Sequence, residues 1–171
     1  MIGDLEQILQ KKKKLQEVDS LKISKAEWAA FETALKGNAY GIRGLRAGLL
    51  WLECISGDDD RSVESSEITI EHVLPRAVGT EDFWLDRFSE QLWKEHSNRL
   101  GNLLLVSGRS NTKMARKPFK EKMKYVEQKG GSSWIWTQDA LQREDWTMED
   151  IEEREQAMLS RFKKRLNITE D

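Results

Sequence analysis

Apolar residues recur at spacings of three and four through most of this chain, and two short stretches break that rhythm. The helical spacing predicts one helix over Leu5 to Val18. It predicts a second opened by Ser24-Lys25-Ala26-Glu27, where serine and glutamate can satisfy the first unpaired backbone N–H groups, running through Leu35 to a stop at Gly37 and Asn38. Ile42 to Ile55 carries an almost continuous apolar face, including Leu45, Leu49, Leu50 and Leu52, and reads as the central buried helix despite Gly44 and Gly48. Thr80-Glu81-Asp82-Phe83 begins another, with Trp84, Leu85, Phe88, Leu92 and Trp93 as a core stripe. Ser110 can cap a further helix that carries Asn111 in its first turn, is interrupted at Pro118 and continues towards Tyr125. After Gly130-Gly131 a helix spans Trp134 to Leu141, and Thr147-Met148-Glu149-Asp150 caps a last one through Leu166.

The exceptions to the helical rhythm are Glu67 to His72, which alternates polar and β-branched residues ahead of Pro75, and the apolar run Asn102 to Ser107. Both suit short strands. The expected fold is therefore mainly α with a small β-hairpin, in a single domain over residues 1–171. Within it, residues 1–66 form a helical support region ending in an acidic surface loop at 57–66. Residues 67–128 form a strand, helical insertion (80–96), strand and helix core, and residues 129–171 are C-terminal helices.

Composition narrows the picture. With 171 residues, 34% charged side chains and a formal net charge of −2, the chain has the profile of an ordinary soluble domain. The N-terminus lacks an apolar signal core and no apolar run approaches bilayer length, so a cytoplasmic protein without a membrane partner is expected. The single cysteine, Cys54, excludes an internal disulfide and a thiolate zinc cluster. Near-neutral charge conceals an uneven distribution. From Arg109 to Lys124 seven basic residues face Glu121 alone, a stripe compatible with phosphate binding or with a solvated helix face. Lys11 to Lys14 read as a solvated face.

The chemistry-bearing residues gather around the two strands. Ile70-Glu71-His72-Val73-Leu74-Pro75 sets an acid beside a histidine at a strand end, and Asn102 and Asn111 follow nine positions apart. Those groups are what a one-metal nuclease needs. Mg²⁺ takes oxygen ligands and is held by only one or two protein groups plus substrate phosphate, which Glu71 and the amide oxygen of Asn111 can supply. His72, neutral near pH 7, would take a proton from water while the metal stabilises the transition state and the leaving 3′ oxygen. Neighbouring strand residues point to opposite faces, so Glu71 and His72 address one site only if the strand ends there and the backbone turns. Asn98 rivals Asn102 for the middle position; Asn102 is preferred because glycine precedes it and the apolar strand follows. His96 is left outside the set.

The block Ile70 to Pro75, then Arg99-Leu100-Gly101-Asn102-Leu103, Asn111, Lys117-Pro118-Phe119 and Lys122 resembles the HNH nuclease domain at the C-terminus of GmrSD-type modification-dependent restriction enzymes. The likeness extends more weakly from Trp146 to Arg165, where Arg154 follows Ile151. The resemblance implies a ββα-metal (HNH) core embedded in the helical domain and an endonuclease dependent on Mg²⁺ or Mn²⁺. It assigns His72 as general base, Glu71 and Asn111 to the metal, and Asn102 to the catalytic set as the asparagine that braces the histidine loop. Asn111 stands where many relatives have histidine, and the cysteine pairs of a structural zinc are absent.

Several expectations follow from the likeness: a nicking endonuclease in bacterial defence against phage or modified DNA, with Arg109, Lys113, Arg116 and Lys117 as phosphate contacts. No Walker-type glycine loop is present, so a nucleotide-dependent sensor domain, N-terminal or separately encoded, is the expected partner. The alternative is a non-catalytic DNA-binding module using the Arg109 to Lys124 stripe, and a helical interaction domain ranks third.

Overall fold

The computed structural model describes residues 22–57, 68–77, 83–107, 114–128 and 134–168. Among them lie six α-helices and two strands. In chain order these are α1 (Lys25–Asn38), α2 (Leu45–Ser56), β1 (Ile68–His72), α3 (Glu90–His96), β2 (Leu103–Ser107), α4 (Phe119–Gln128), α5 (Ile135–Leu141) and α6 (Met148–Leu166). The fold is mainly α with one small antiparallel sheet. No helix among the described residues is long and apolar enough to cross a membrane. The helix expected at Leu5 to Val18, the Lys11 to Lys14 run, most of the acidic loop and the Ser110-Asn111 helix start lie outside the described residues.

Local chemistry sets most of the boundaries. Ser24 and Glu27 form the capping box of α1, and Thr147 with Asp150 forms that of α6. Helix α1 does not stop at Gly37 but runs on to Asn38, whose side chain then accepts the Gly41 N–H at 3.2 Å and caps a 3-10 turn, Ala39–Gly41. Helix α2 begins at Leu45 rather than Ile42 because Gly44, at φ 87°, turns the chain left-handed just before it. Its Leu45, Leu49 and Leu52 are buried as expected. The largest departure is the insertion. Residues 83–88 form turns and α3 covers only Glu90–His96, because Ser89 adopts an extended conformation and caps a new helix by accepting the Leu92 N–H. Trp84, Phe88 and Trp93 are still core, whereas Leu85 is exposed.

The sheet is buried on both faces. Register pairs Ile68 with Ser107, Ile70 with Leu105, Glu71 with Leu104 and His72 with Leu103. Leu103 and Leu105 pack with Trp28, Leu35, Leu49, Leu52, Met158 and Phe162 of α1, α2 and α6. Leu104 and Val106 face Trp84, Trp93, Phe119, Met123 and Trp146. A strand with apolar cover on both sides must be apolar at every position, which is why Leu103-Leu104-Leu105-Val106 does not alternate.

Helix α6 fixes the turn that leads into β2. Arg154, fully buried, donates to Gly101 O, to Trp136 O at 2.7 Å and to Asp139 Oδ2 at 2.8 Å. Burial pushes its guanidinium down to about 10, with Asp139 opposing. Arg99 grips the fully buried Glu155 with two nitrogens, at 2.5 and 3.2 Å. Between these clamps the 3-10 turn Leu100–Asn102 lies against the α6 backbone so closely that a Cβ on Gly101 would stand 1.9 Å from Ile151 O. Neither backbone can retreat without breaking the clamps. Gly101→Ala should therefore destabilise the domain by about 3 kcal/mol, the upper end for overpacking, measured as a shift in urea midpoint at unchanged slope.

Candidate active site

Strand β1 delivers Glu71 and His72 to a loop, Val73–Pro75, whose backbone is held residue by residue. Val73 N–H donates to Asn102 O at 3.1 Å, and Leu74 N–H to Asn102 Oδ1 at 2.7 Å. Leu74 O accepts from Asn102 Nδ2 at 2.8 Å, and Pro75 O from the Trp93 indole at 2.7 Å. Asn102 spends its remaining valences on Ser97 O, at 2.7 Å, and on the Trp146 indole, at 3.0 Å. A carboxamide has two donors and two lone pairs, and all four are used in a side chain with no exposure. Asn102 thus acts on the site only by placing the loop after His72 and the Ser97 turn. It precedes β2 instead of opening it.

His72 lies on the α1 side of the sheet. The Tyr40 ring, in the turn after α1, meets it edge to face with centroids 4.4 Å apart, and the Arg76 guanidinium stacks over Tyr40 at 4.8 Å. Nε2 hydrogen-bonds to Asn98 Oδ1 at 3.3 Å. The residue is only 8% exposed. Burial pushes the ring down from its ordinary value to about 4; the Asn98 bond opposes this, and the Arg76 and Lys122 charges add to it. At pH 7 the imidazole is neutral and able to accept a proton. An anion bound beside it would offset the two cations and raise its basicity.

Glu71 points to the opposite face. Strand β1 stays extended through His72, so the backbone turn that would bring both side chains to one side does not occur before the loop. What joins them is Lys122 of α4. Its ammonium, fully buried, donates to Glu71 Oε1 at 2.7 Å and to the His72 carbonyl at 2.6 Å. Burial raises the Glu71 carboxyl above the usual range against the lowering influence of Lys122. Glu71, 5% exposed, is a hard carboxylate donor on the Lys122 face of the sheet, engaged by that ammonium and by the His72 backbone N–H. That chemistry fits Mg²⁺ or Mn²⁺, which need few protein ligands. Asn111, the second expected donor, lies outside the described residues.

The basic stripe is thinner than the sequence suggests. Arg109 and Lys113 lie outside the described residues, and Arg116 is exposed. Lys117 pairs with Glu121 at 3.0 Å and lies 5.5 Å from the Tyr125 ring centre. Lys122 is not a solvated cation but part of the core, on the same α4 face as Phe119, Met123 and Val126. That placement was visible as a lysine three residues after Phe119, in phase with the apolar positions. Tyr40, Arg76 and the contact of Asn98 with His72 left no such sign, since they are brought together only by the fold. His96 bonds to Leu92 O at 2.8 Å and faces Arg99 and Glu152, not Glu71.

Two expectations follow from these charges. Lys122→Met should cost about 3–5 kcal/mol by leaving the Glu71 carboxylate buried without its partner, and Lys122→Met combined with Glu71→Leu should recover most of it; denaturation of the two single variants and the double variant measures the coupling. In EDTA, the unfolded chain takes a proton on His72 near pH 6.5 and the folded chain only near 4. Stability from this group is therefore complete above pH 6.5, falls as pH drops from 6.5 towards 4, and levels off below. The drop is a few kcal/mol at about 1.4 kcal/mol per pKa unit, and His72→Gln should flatten it in urea titrations across that range.

No curated protein and no solved structure matches the chain. A protein family does: residues 9–161 match the family described as GmrSD restriction endonucleases, C-terminal domain. That span contains both strands, the histidine loop, the Asn102 turn, α4 with Lys122 and most of α6. The chain therefore belongs to the C-terminal domain family of the GmrSD restriction endonucleases, and is a restriction-endonuclease domain with DNA as its substrate.

Proposed function

We propose that the domain is an HNH endonuclease that hydrolyses one phosphodiester bond per active site, with His72 as general base. The observation that carries this reading is His72 itself: an imidazole at the end of β1, beside the Asn98 amide, entering a loop whose backbone Asn102 and Trp93 fix at four points, with Glu71 on the other face of the strand. In the proposed step the O–H bond of a water breaks and its proton passes to the His72 ring. The water oxygen bonds to phosphorus, and the bond to the 3′ oxygen breaks with its electrons on that oxygen. Glu71 and Asn111 would hold Mg²⁺ or Mn²⁺, which when bound supplies positive charge to the phosphate and leaving oxygens.

Lys122 keeps the Glu71 carboxylate in place and compensates its charge inside the core. Arg76 is exposed, stacked over Tyr40 and close enough for its charge to act on His72, which places its guanidinium to meet a phosphate there. Arg109, Lys113, Arg116 and Lys117 would extend the phosphate contacts along the duplex. The reading includes an effector role in bacterial defence, licensed by a nucleotide-dependent sensor domain and acting in the cytoplasm.

A non-catalytic DNA-binding module is the second reading. Against it stands the stripe it depends on, in which Lys122 is buried and Lys117 is engaged by Glu121. Supercoiled plasmid incubated with the protein in Mg²⁺, in Mn²⁺ and in EDTA separates the two. Open-circle product that needs metal and disappears in His72→Ala is the expected result. Intact plasmid retained on a gel in all three conditions would favour the binding module.

A further inference from the structure

His72 has two ring nitrogens, and only one is spoken for. Nε2 meets Asn98 Oδ1 at 3.3 Å; among the described residues Nδ1 has no recorded hydrogen-bond partner. A neutral imidazole carries one proton, and the nitrogen that lacks it is the basic one. A carboxamide oxygen has only lone pairs to offer, so it favours the proton on Nε2 and leaves the lone pair on Nδ1.

We infer that Asn98 is a positioning residue that holds His72 as its Nε2–H tautomer, so that Nδ1 is the atom that takes the proton from water. This rests on the nuclease reading for the reaction, though not for the ring's state.

Asn98 is itself placed by three elements. Its carbonyl accepts the Tyr40 N–H at 3.2 Å, which ties it to the turn whose ring packs against His72. The preceding carbonyl, Ser97 O, accepts from Asn102 Nδ2 at 2.7 Å. The following residue, Arg99, is clamped to Glu155 of α6. The Asn98 amide is therefore aimed at the ring by backbone held on both sides, while its side chain makes no other recorded bond among the described residues. Among the described residues, removing that amide takes away no recorded hydrogen bond except the contact with His72.

The chain's second histidine provides an internal standard. His96 Nδ1 lies 2.8 Å from the carbonyl Leu92 O, and Arg99 Nη1, which can only donate, lies 3.2 Å from His96 Nε2. The Leu92 contact places a proton on Nδ1, while Nε2 lies between Arg99 Nη1 and, at 3.5 Å, the Glu152 carboxylate. Since the chain has two histidines, its imidazole nitrogen spectrum contains two ring systems, and that of His96 is the reference that a change at Asn98 should leave in place.

The test is a long-range proton–nitrogen correlation on the ¹⁵N-labelled full chain at neutral pH, with plasmid nicking measured in parallel. Wild-type His72 should show the Nε2–H pattern. Asn98→Ala should move His72 alone towards a mixture and lower kcat on the order of tenfold with KM little changed. Asn98→Asp, which keeps an acceptor oxygen, should restore both. An Nδ1–H pattern on wild-type His72 overturns the inference, as does an Asn98→Ala variant with unchanged His72 nitrogens or unchanged kcat. The expected tautomer in a wild-type chain that cuts no DNA would strike the nuclease reading and leave the role of Asn98 in fixing the ring's tautomer standing.

Discussion

The carboxamide of Asn102 is the constraint on which the rest of the site depends. Four hydrogen bonds from one unexposed side chain join the loop after β1, the turn after α3 and the indole that precedes α6. Removing it would leave two buried carbonyls, an N–H and an indole N–H without partners, each costing on the order of 1–3 kcal/mol. The consequence is geometric as well as energetic. His72 and Asn98 sit on two separate stretches of chain, and Asn102 bonds to the residues beside each of them.

A second layer holds Asn102 in turn. Arg154 and Glu155 of α6 grip Gly101 and Arg99, both just ahead of it in the chain, and Gly101 allows the turn to lie directly on the helix backbone. Buried ion pairs are poor sources of net stability but exacting about arrangement, since a misplaced partner leaves an uncompensated charge. The same logic applies to Lys122 and Glu71 across the sheet. The site is therefore framed by buried charges on one side and an aromatic-walled histidine pocket on the other, with the two-stranded sheet between them.

How much of this was readable in the sequence depended on distance along the chain. Caps written within four residues, Ser24 with Glu27 and Thr147 with Asp150, gave helix starts that the structure reproduces. The apolar run Asn102 to Ser107 marked a strand, and the structure shows why it is unbroken, since it is covered on both faces. The insertion misled because Trp84, Phe88 and Trp93 keep helical spacing whether they sit on one helix or on turns that end at a fresh cap, and burial alone does not distinguish the two. At the site, His72 and Glu71 stood out by their pairing. Tyr40, 32 positions upstream of His72, and Arg99 with Glu155, 56 apart, carry no local sign of their contacts.

The braces also impose an order in time. A ribosome releases Glu71, His72, Asn98 and Asn102 well before Trp146 and Arg154, which lie 44 and 53 residues beyond the groups they bind. Until those arrive, one lone pair of the Asn102 amide has no indole, Gly101 O has no guanidinium, and the turn that aims Asn98 at His72 is secured from one side only. A chain emerging from synthesis thus holds every reactive group of the histidine loop in hand while its geometry is still loose. Helix α6, made after all of them, is the part that locks it.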